Sequence, residues 1–460
     1  MPRYVAVIDL GKTNSKVALV DTSKATEILV ITQPAASDST TLYPSLDHQA
    51  IKIFVLDALR TLRATHKIDA ITVTTHGATA ALINAEGQLA LPVMDYEFTD
   101  IDELRPEYDR YRPTFADTGS PALPGGLNIG AQLYWQQKHY PTQFSQTSTL
   151  LTWPQYWVFI LTGERHNDVT SLGCHSDLYE PLRQRYSMLI DNMNWQSLMP
   201  ATKHSGQLSG TLNPNIASAV GIPPGTPVYT GIHDSNASLV PHLISHEAPY
   251  SVVSTGTWFI AMSIGGTLTV LDEKKDTLLN INARGDNVPS ARFMGGRERE
   301  LLGVSNDVTD QSMDELLANS TSPAMLMPSV VPGTGPHPDL PKTWLGADVR
   351  HDQSLSDCAA TLYLALMTYE SMQLVGCQGA TYIEGPMAHD RHYARMLAAI
   401  SHGPVYISAS QTGTSVGAAM LISAPETLPE YTLVNLDSAQ RQKLKHYANL
   451  WQDQLQIHCR

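Results

Sequence analysis

The stretch that decides the fold comprises residues 4–20 and reads YVAVIDLGKTNSKVALV. Two apolar runs rich in β-forming residues, Tyr4–Leu10 and Lys16–Val20, flank the polar segment Gly11–Ser15. This pattern predicts two strands joined by a tight loop. Downstream, helical spacing from Ile51 and an apolar run to Thr75 predict a helix followed by a return strand. Ser45 and Asp47 are the two candidate N-caps of that helix.

The loop between the first two strands contains Gly-Lys-Thr but is not a Walker A loop. That motif needs a glycine five positions before Gly11, where the chain has Ala6. The loop is therefore a hairpin in which glycine lets amides turn toward an anion, while Thr13 and Asn14 add side-chain donors. Asp9, at the strand end, is a candidate to hold magnesium through water. The alternative is an ordinary hairpin turn with a solubilising acid.

The opening pattern returns just past the midpoint of the chain. Ser251–Ser254 and Trp258–Ile264 have strand character, and Thr255–Thr257 forms a polar turn around a glycine. Strands and helices then alternate, which is typical of parallel crossover units. Such a repeat indicates an internal duplication. We therefore predict two similar α/β halves with a cleft between them, whose two hairpin loops grip the phosphates of a nucleotide.

The composition restricts the partner to a small molecule. The 460 residues contain 30 Lys plus Arg and 44 Asp plus Glu, a net charge of −14 that argues against a nucleic-acid partner. A hydrophobic share of 42% and a charged share of 16% exclude a disordered chain and a coiled coil. No apolar run is long enough for a membrane span. The four cysteines lie far apart without metal-ligand spacing, so we expect a reducing, cytoplasmic setting.

A second acid follows a strand-like run just before the second hairpin. Asp234 ends the segment Gly231-Ile232-His233-Asp234, and an acid at a strand end beside a cleft is a candidate general base. The alternative is that Asp234 caps a helix over Ser235–Leu239, since aspartate is a favoured N-cap residue. We interpret His233 as a wall residue of the cleft.

From Tyr4 to Ile422, these segments resemble the FGGY carbohydrate kinases. The segments Leu161–Glu164 and Glu384–Ala388 strengthen the resemblance, the latter being similar to the family's adenosine segment. The resemblance implies that Asp234 is the catalytic base and that Asp9 lies at the magnesium site. The implied nucleotide-binding residues lie in both halves: Gly11, Thr13, Asn14, Lys16, Thr255, Gly256, Thr257, Gly385 and Ala388.

The resemblance also implies the acceptor site, the fold and the partners. The implied substrate-binding residues are His76, Gly77, Asp95, Tyr96, Asn128 and Asp234, and a turn or cap role is the alternative for each of the first five. The implied fold is α/β, with two ribonuclease-H-like domains of the actin and hexokinase type. We place the sugar-binding domain at residues 1–245 and the nucleotide-binding domain at residues 246–460. The implied reaction is ATP-dependent phosphorylation of a hydroxyl of a small-molecule sugar, ketose, polyol or sugar acid, with ATP and Mg²⁺ as cofactors. The oligomeric state is left open, although symmetric homodimers are the commonest soluble assemblies.

Two departures from the family pattern leave alternatives open. Pro386 replaces the second of two glycines in the adenosine segment, which fixes φ and removes an amide donor. Lys12 stands where many members have threonine. One rival is an actin-like or chaperone-like ATPase on the same fold, and Asp234 counts against it. The other is a catalytically inactive regulator, which Pro386 makes conceivable.

Overall fold

The chain forms two compact units. A computed structural model describes residues 1–305, 308–346, 352–408 and 413–458. Unit 1 comprises Met1–Ser245 with Leu279–Asn287 and Thr412–Leu428, and unit 2 comprises His246–Leu278, Val288–Gln411 and Pro429–Arg460. Two segments from the second half of the chain thus belong to unit 1.

The sheet of unit 1 contains the predicted first hairpin. Tyr4–Leu10 runs antiparallel to Asn14–Asp21 and parallel to Ala70–Thr75. Both faces of the first strand are covered, which explains its nearly continuous apolar sequence. In spatial order the strands are Leu208–Thr211, Pro227–Tyr229, Ala70–Thr75, Tyr4–Leu10, Asn14–Asp21 and Thr26–Pro34, with Ile232–His233 pairing beside Ala70–Thr75.

Helices pack around this sheet. The predicted helix extends over His48–Thr65 and begins at Asp47, whose carboxylate accepts a hydrogen bond from the Ala50 amide at 2.9 Å. Of the two candidate caps, Asp47 is therefore the cap, whereas Ser45 lies in a short strand. The longer helices of unit 1 are His48–Thr65, Ile129–His139, Trp153–Thr162, Pro214–Val220, Asp234–Ser245 and Thr414–Met420. Trp153 and Trp157 are buried in the core, as their spacing predicts.

Shorter elements complete unit 1. Its short strands are Ser37–Asp38, Ser45–Leu46, Ala80–Ile83, Thr149–Thr152, Asn167–Asp168, Tyr179–Glu180, Arg185–Tyr186 and Thr202–Lys203. Its short helices are Asp100–Leu104, Arg105–Tyr108, Phe115–Thr118, Gly125–Leu127, Pro141–Phe144, Val169–Leu172, Pro181–Arg183, Met188–Asn192 and Gln196–Leu198.

Unit 2 repeats the local arrangement of unit 1. Tyr250–Thr255 runs antiparallel to Phe259–Ile264 and parallel to Ala380–Glu384. In spatial order the strands are Thr277–Ile281, Asn287–Phe293, Phe259–Ile264, Tyr250–Thr255, Ala380–Glu384, Val405–Ser408 and Tyr431–Leu433, with Met325–Met327 and Thr343–Leu345 in a separate pair. The helices are Glu273–Lys275, Gly295–Leu302, Asp310–Ala318, Gln353–Leu374, Pro386–His389, Arg391–Ile400 and Ser438–His458.

The structure confirms the predicted α/β fold within each unit, since both hairpins and both parallel return strands are present. Within the described ranges, no helix combines the length and apolar character that crossing a bilayer requires. Among the described residues, Cys174, Cys358 and Cys377 form no disulfide, and Cys459 lies outside the described residues.

Candidate active site

Three parallel strands of unit 1 end at one edge of its sheet. Asp9 pairs with Thr74, and Ile232 and His233 pair with Thr74 and Thr75. The carboxyl ends of parallel strands are where open α/β sheets bind ligands. The register therefore brings the ends of Tyr4–Leu10, Ala70–Thr75 and Ile232–His233 to a common edge, although they are far apart in sequence.

Asp234 lies at this edge, on the first residue of the helix Asp234–Ser245. Its Oδ1 accepts a hydrogen bond of 2.6 Å from the Ser235 amide and lies 3.2 Å from Nε2 of His233. A capping aspartate accepts from amides two or three residues onward, so the bond to the next residue is not the usual cap. The side chain is 30% exposed. Loss of hydration nevertheless raises the pKa of Asp234 to about 6.

The two histidines near Asp234 are held in place by the protein. Nδ1 of His76 lies 2.9 Å from the Gly77 carbonyl oxygen, which satisfies the ring within its own loop. A Cβ atom on Gly77 would lie 2.9 Å from Nε2 of His233, so glycine is needed for this close approach. Burial lowers the pKa of both imidazoles, and that of His233 to about 4. Both rings are therefore neutral near pH 7.

A buried network fixes the backbone that carries Asp234. The His233 amide donates to Oγ1 of Thr170 at 3.1 Å, and Thr170 in turn donates to Asp168. Ser205 also donates to Asp168, at 2.7 Å. Burial raises the pKa of Asp168 to about 6. Sequence reasoning missed this support because its members come from separate segments.

The first hairpin loop has the predicted tight geometry. The Gly11 amide donates to the Asn14 carbonyl oxygen at 3.0 Å, which closes the turn, and the side chains of Thr13 and Asn14 are exposed. Lys16 is not a bare cation, because its ammonium lies 3.1 Å from carboxylate oxygens of both Asp9 and Glu27. Two donors of this loop are thus open to a ligand, while Lys16 neutralises acids beside it.

Asp9 offers one free oxygen for a metal-bound water. Its Oδ2 accepts hydrogen bonds from Ser415, at 2.8 Å, and from Thr414, and it pairs with Lys16. In the part of the chain that the structure describes, no donor reaches Oδ1 of Asp9, and no cluster of three potential metal ligands exists. Magnesium usually keeps several waters and needs one or two carboxylates. The site therefore fits a water-mediated ion.

The acceptor-side residues form a turn beside the histidine. The Tyr96 ring lies edge-on to the His76 ring, with ring centres 5.3 Å apart. The Gly126 amide donates to the Tyr96 carbonyl oxygen at 2.9 Å, which holds the turn that carries Tyr96. Asp95 binds Lys12 of the hairpin loop, a contact that sequence reasoning missed. Contacts thus link His76 to Tyr96, and Tyr96 through Lys12 to Asp95, in one cluster near the sheet edge.

Asn128 has a different role from the predicted one. It is fully buried, and its side-chain amide donates to the carbonyl oxygens of Pro121 and His175, each at 3.0 Å. Its oxygen accepts from the Leu123 amide at 2.9 Å. These bonds occupy the side-chain amide of Asn128 in holding the loop at residues 121–123.

Unit 2 carries a cavity at its own hairpin loop. The cavity has a volume of about 950 Å³, within the range of small-molecule sites. Its lining combines the two predicted nucleotide segments with a basic helix start: Gly256, Thr257, Phe259, Gly296, Arg297, Arg299, Glu300, Val308, Pro386, Met387, His389, Asp390, Arg391 and His392. The arginines have no local sequence motif, so sequence reasoning missed them.

The two predicted nucleotide segments of unit 2 are bonded to each other. Thr255 Oγ1 donates to the Glu384 carbonyl oxygen and accepts from the Met387 amide at 3.1 Å. Gly385 has φ 83°, and a Cβ atom there would collide with the Thr255 carbonyl oxygen. Ala388 is buried, and its amide closes the turn onto the Gly385 carbonyl oxygen at 3.0 Å. Hairpin and adenosine segment are thus one rigid wall.

Comparison with known protein families identifies this arrangement. The model of the N-terminal domain of the FGGY family of carbohydrate kinases matches residues 4–241. The model of the carbohydrate kinase FGGY C-terminal domain matches residues 247–430. The chain belongs to the FGGY family of carbohydrate kinases. The resemblance noted in its sequence is thereby confirmed.

Individual relatives of this FGGY chain are similar in sequence or structure. A carbohydrate kinase from Novosphingobium aromaticivorans is 33% identical, with a TM-score of 0.92 over 99% of both chains. The L-fuculokinase of Salmonella typhi is 29% identical over 57% of each chain, so the chain spans little more than half of this curated relative. Glycerol kinase of Plasmodium falciparum with ADP shares the fold alone, at 15% identity and a TM-score of 0.77 over 99% of this chain and 98% of that one.

Proposed function

We propose that this FGGY chain transfers the γ-phosphoryl group of ATP to a hydroxyl of a sugar, ketose, polyol or sugar acid. The carrying observation is Asp234, a partly exposed carboxylate at the ligand-binding edge of unit 1 whose pKa is raised to about 6 by burial. Such a carboxylate is ionised at neutral pH and more basic than an ordinary aspartate. A carboxylate aimed at a second substrate distinguishes a kinase from an actin-like ATPase.

In the proposed reaction Asp234 accepts the proton of the acceptor hydroxyl as its oxygen bonds to the γ-phosphorus and the bond to ADP breaks. Neutral His233, 3.2 Å away, orients the carboxylate. His76 and Tyr96 form the wall against which the acceptor is positioned. Little covalent chemistry is asked of the protein, so positioning supplies most of the catalysis.

The nucleotide residues divide between the units in this proposal. The cavity of unit 2 takes the adenosine and its phosphates against Gly256, Thr257 and the wall at Gly385. In unit 1, the Gly11–Asn14 loop supplies donors to phosphate. Asp9 would hold magnesium through water, and the bound ion would neutralise charge on the phosphate oxygens.

The test of this function is a coupled assay of ADP release with a panel of about 40 acceptors. A kinase discriminates among acceptors by how well it binds each of them in the transition state. Ketoses come first, because the curated relatives include the L-fuculokinase of Salmonella typhi and a probable L-xylulose kinase of Pasteurella multocida, 25% identical over 29% of this chain. We expect at least one acceptor to stimulate ADP release. Nucleotide binding without stimulation by any acceptor would favour an inactive regulator or an actin-like ATPase.

A further inference from the structure

A cation from the first hairpin loop lies among the predicted substrate-binding residues of unit 1. The ammonium of Lys12 bonds to Oδ1 of Asp95 and lies 3.3 Å from Oε2 of Glu97. It also lies 4.8 Å from the centre of the Tyr96 ring, a cation–π distance. Lys12 belongs to a predicted phosphate loop, yet its ammonium group contacts carboxylates in the predicted acceptor segment.

The hydrogen-bonding groups of this cluster are only partly used. An ammonium has three N–H donors, of which Asp95 and Glu97 take two. Oδ1 of Asp95 accepts from Lys12 and, at 2.9 Å, from the Glu97 amide. Among the residues that the structure describes, no donor reaches Oδ2 of Asp95. The Lys12 and Asp95 side chains keep 22% and 14% of their surface exposed, so a solute can reach both.

The remaining N–H donor of Lys12 and the acceptor Oδ2 of Asp95 lie side by side, an arrangement that matches two neighbouring hydroxyls of a solute. One hydroxyl donates to Oδ2 of Asp95 while the next accepts from Lys12, and both bonds involve an ionised partner, which makes them strong. A solute carboxylate fits less well. The carboxylates of Asp95, Glu97 and Asp234 all act on Tyr96 beside Lys12, and like charges repel where side chains are partly desolvated.

We propose that Lys12 and Asp95 form a specificity-determining pair that binds two adjacent hydroxyls of a neutral polyhydroxyl acceptor. Lys12, in the hairpin loop, and Asp95, on the neighbouring turn, meet beside Tyr96, so we assign to them hydroxyls other than the one presented to Asp234. This inference rests on the proposed kinase function and narrows its substrate class. Sugar acids, which the sequence leaves open, are disfavoured.

The test compares Lys12→Met, Asp95→Asn, the double variant and Lys24→Met, a control for loss of an exposed lysine elsewhere in unit 1. Steady-state rates are measured with the best acceptor of the panel, with its deoxy analogues and with its matching sugar acid. Each single variant should raise the acceptor KM by about 10-fold to 100-fold, because each loses a hydrogen bond to a charged group. The ATP KM should stay within about twofold, since the phosphate donors are untouched.

Coupling between the two residues gives a second readout. The double variant should be no worse than the more affected single variant, because removing either partner already breaks the pair. The wild type should discriminate against one deoxy analogue, and Lys12→Met should lose that discrimination. Lys24→Met should behave as wild type, and the sugar acid should be a poor substrate.

Three results would overturn the proposal. A raised ATP KM with an unchanged acceptor KM in Lys12→Met would assign the lysine to phosphate. Preference for the sugar acid would contradict the charge argument, and additive effects in the double variant would contradict a pair. If Asp95→Asn does not fold, the discrimination of Lys12→Met between the best acceptor and its deoxy analogues still tests the proposal. Absence of turnover with any acceptor in the wild type contradicts the kinase function itself, so the two failures are distinguishable.

Discussion

The two hairpin loops share a backbone device but differ in their surroundings. In unit 1 the Gly11 amide bonds to Asn14, and in unit 2 the Gly256 amide bonds to Trp258, both at 3.0 Å. Charged pairs surround the first loop, with Lys16 on Asp9 and Lys12 on Asp95. The second is bonded through Thr255 to the predicted adenosine segment, and arginines lie near it, among them Arg297 and Arg299 of the cavity lining. The same turn thus lies among lysine–carboxylate pairs in unit 1 and is joined to a second backbone segment in unit 2, which fits the proposed division of acceptor and nucleotide roles.

The largest expected effect concerns unit 1. Asp234→Asn keeps the shape of the side chain but cannot accept a proton, so kcat should fall by about 10²-fold to 10⁴-fold. The ATP dissociation constant, measured by calorimetry, should stay near the wild-type value. A change in nucleotide affinity as large as that in kcat would break the comparison, because it would place Asp234 among the nucleotide ligands.

Stability supplies the control for this variant. The pKa of Asp234 is raised, so ionising it above about pH 6 weakens the native state relative to the unfolded chain. Replacing it with neutral asparagine should therefore leave the melting temperature at pH 8 unchanged or higher. Asparagine is an equally good N-cap residue, so a lower melting temperature would instead indicate that the ionised carboxylate stabilises the native state.

The second largest effect is expected on the ATP KM, from a substitution in unit 2. In Gly385→Ala the new methyl group collides with the Thr255 carbonyl oxygen. Alanine must also adopt the left-handed backbone conformation of Gly385, whose φ is 83°. Strain of this kind costs about 1–3 kcal/mol, so the ATP KM should rise about 10-fold to 100-fold with the acceptor KM little changed. Gly163→Ala is the matched control, because Gly163 has φ 86° but no neighbour within 4 Å of a new Cβ atom.

Gly163→Ala should lower stability slightly and leave both KM values unchanged. Equal effects of the two substitutions on the ATP KM would show that backbone conformation, and not the wall between Thr255 and Gly385, controls nucleotide binding. Steady-state kinetics with ATP as the varied substrate makes the comparison.

The smallest effect concerns Pro386, which begins the short helix Pro386–His389. Proline is well suited to a first helical position, where its missing amide is not needed within the helix. Pro386→Gly loosens this turn, so the ATP KM should change by about twofold to fivefold, within the range of surface-loop effects of under 1 kcal/mol. Pro214→Gly, at the start of another helix, should change neither KM. A larger change in the acceptor KM would contradict the assignment of the segment.

The hairpins, the Asp47 cap and the position of Asp234 could be predicted because each depends on local sequence. The side-chain contacts within the candidate site could not be predicted from the sequence. Lys12 and Asp95 lie 83 residues apart, and Asp9 and Ser415 lie 406 apart, so only the folded chain brings them together. The wrong emphasis on Asn128 has the same origin, because burial of a polar loop residue is not visible in the sequence.

The pH dependence of kcat/KM for the acceptor tests the central claim most directly. Asp234 must be ionised to accept the proton, and its pKa is about 6. The account predicts that kcat/KM falls tenfold per pH unit below about pH 6 and is level above it, as expected for one essential base. It also predicts that Asp234→Asn abolishes this acid limb in the residual activity. A level profile from pH 5 to 8 in the wild type, or an unchanged acid limb in Asp234→Asn, would contradict the assignment of Asp234 as the base.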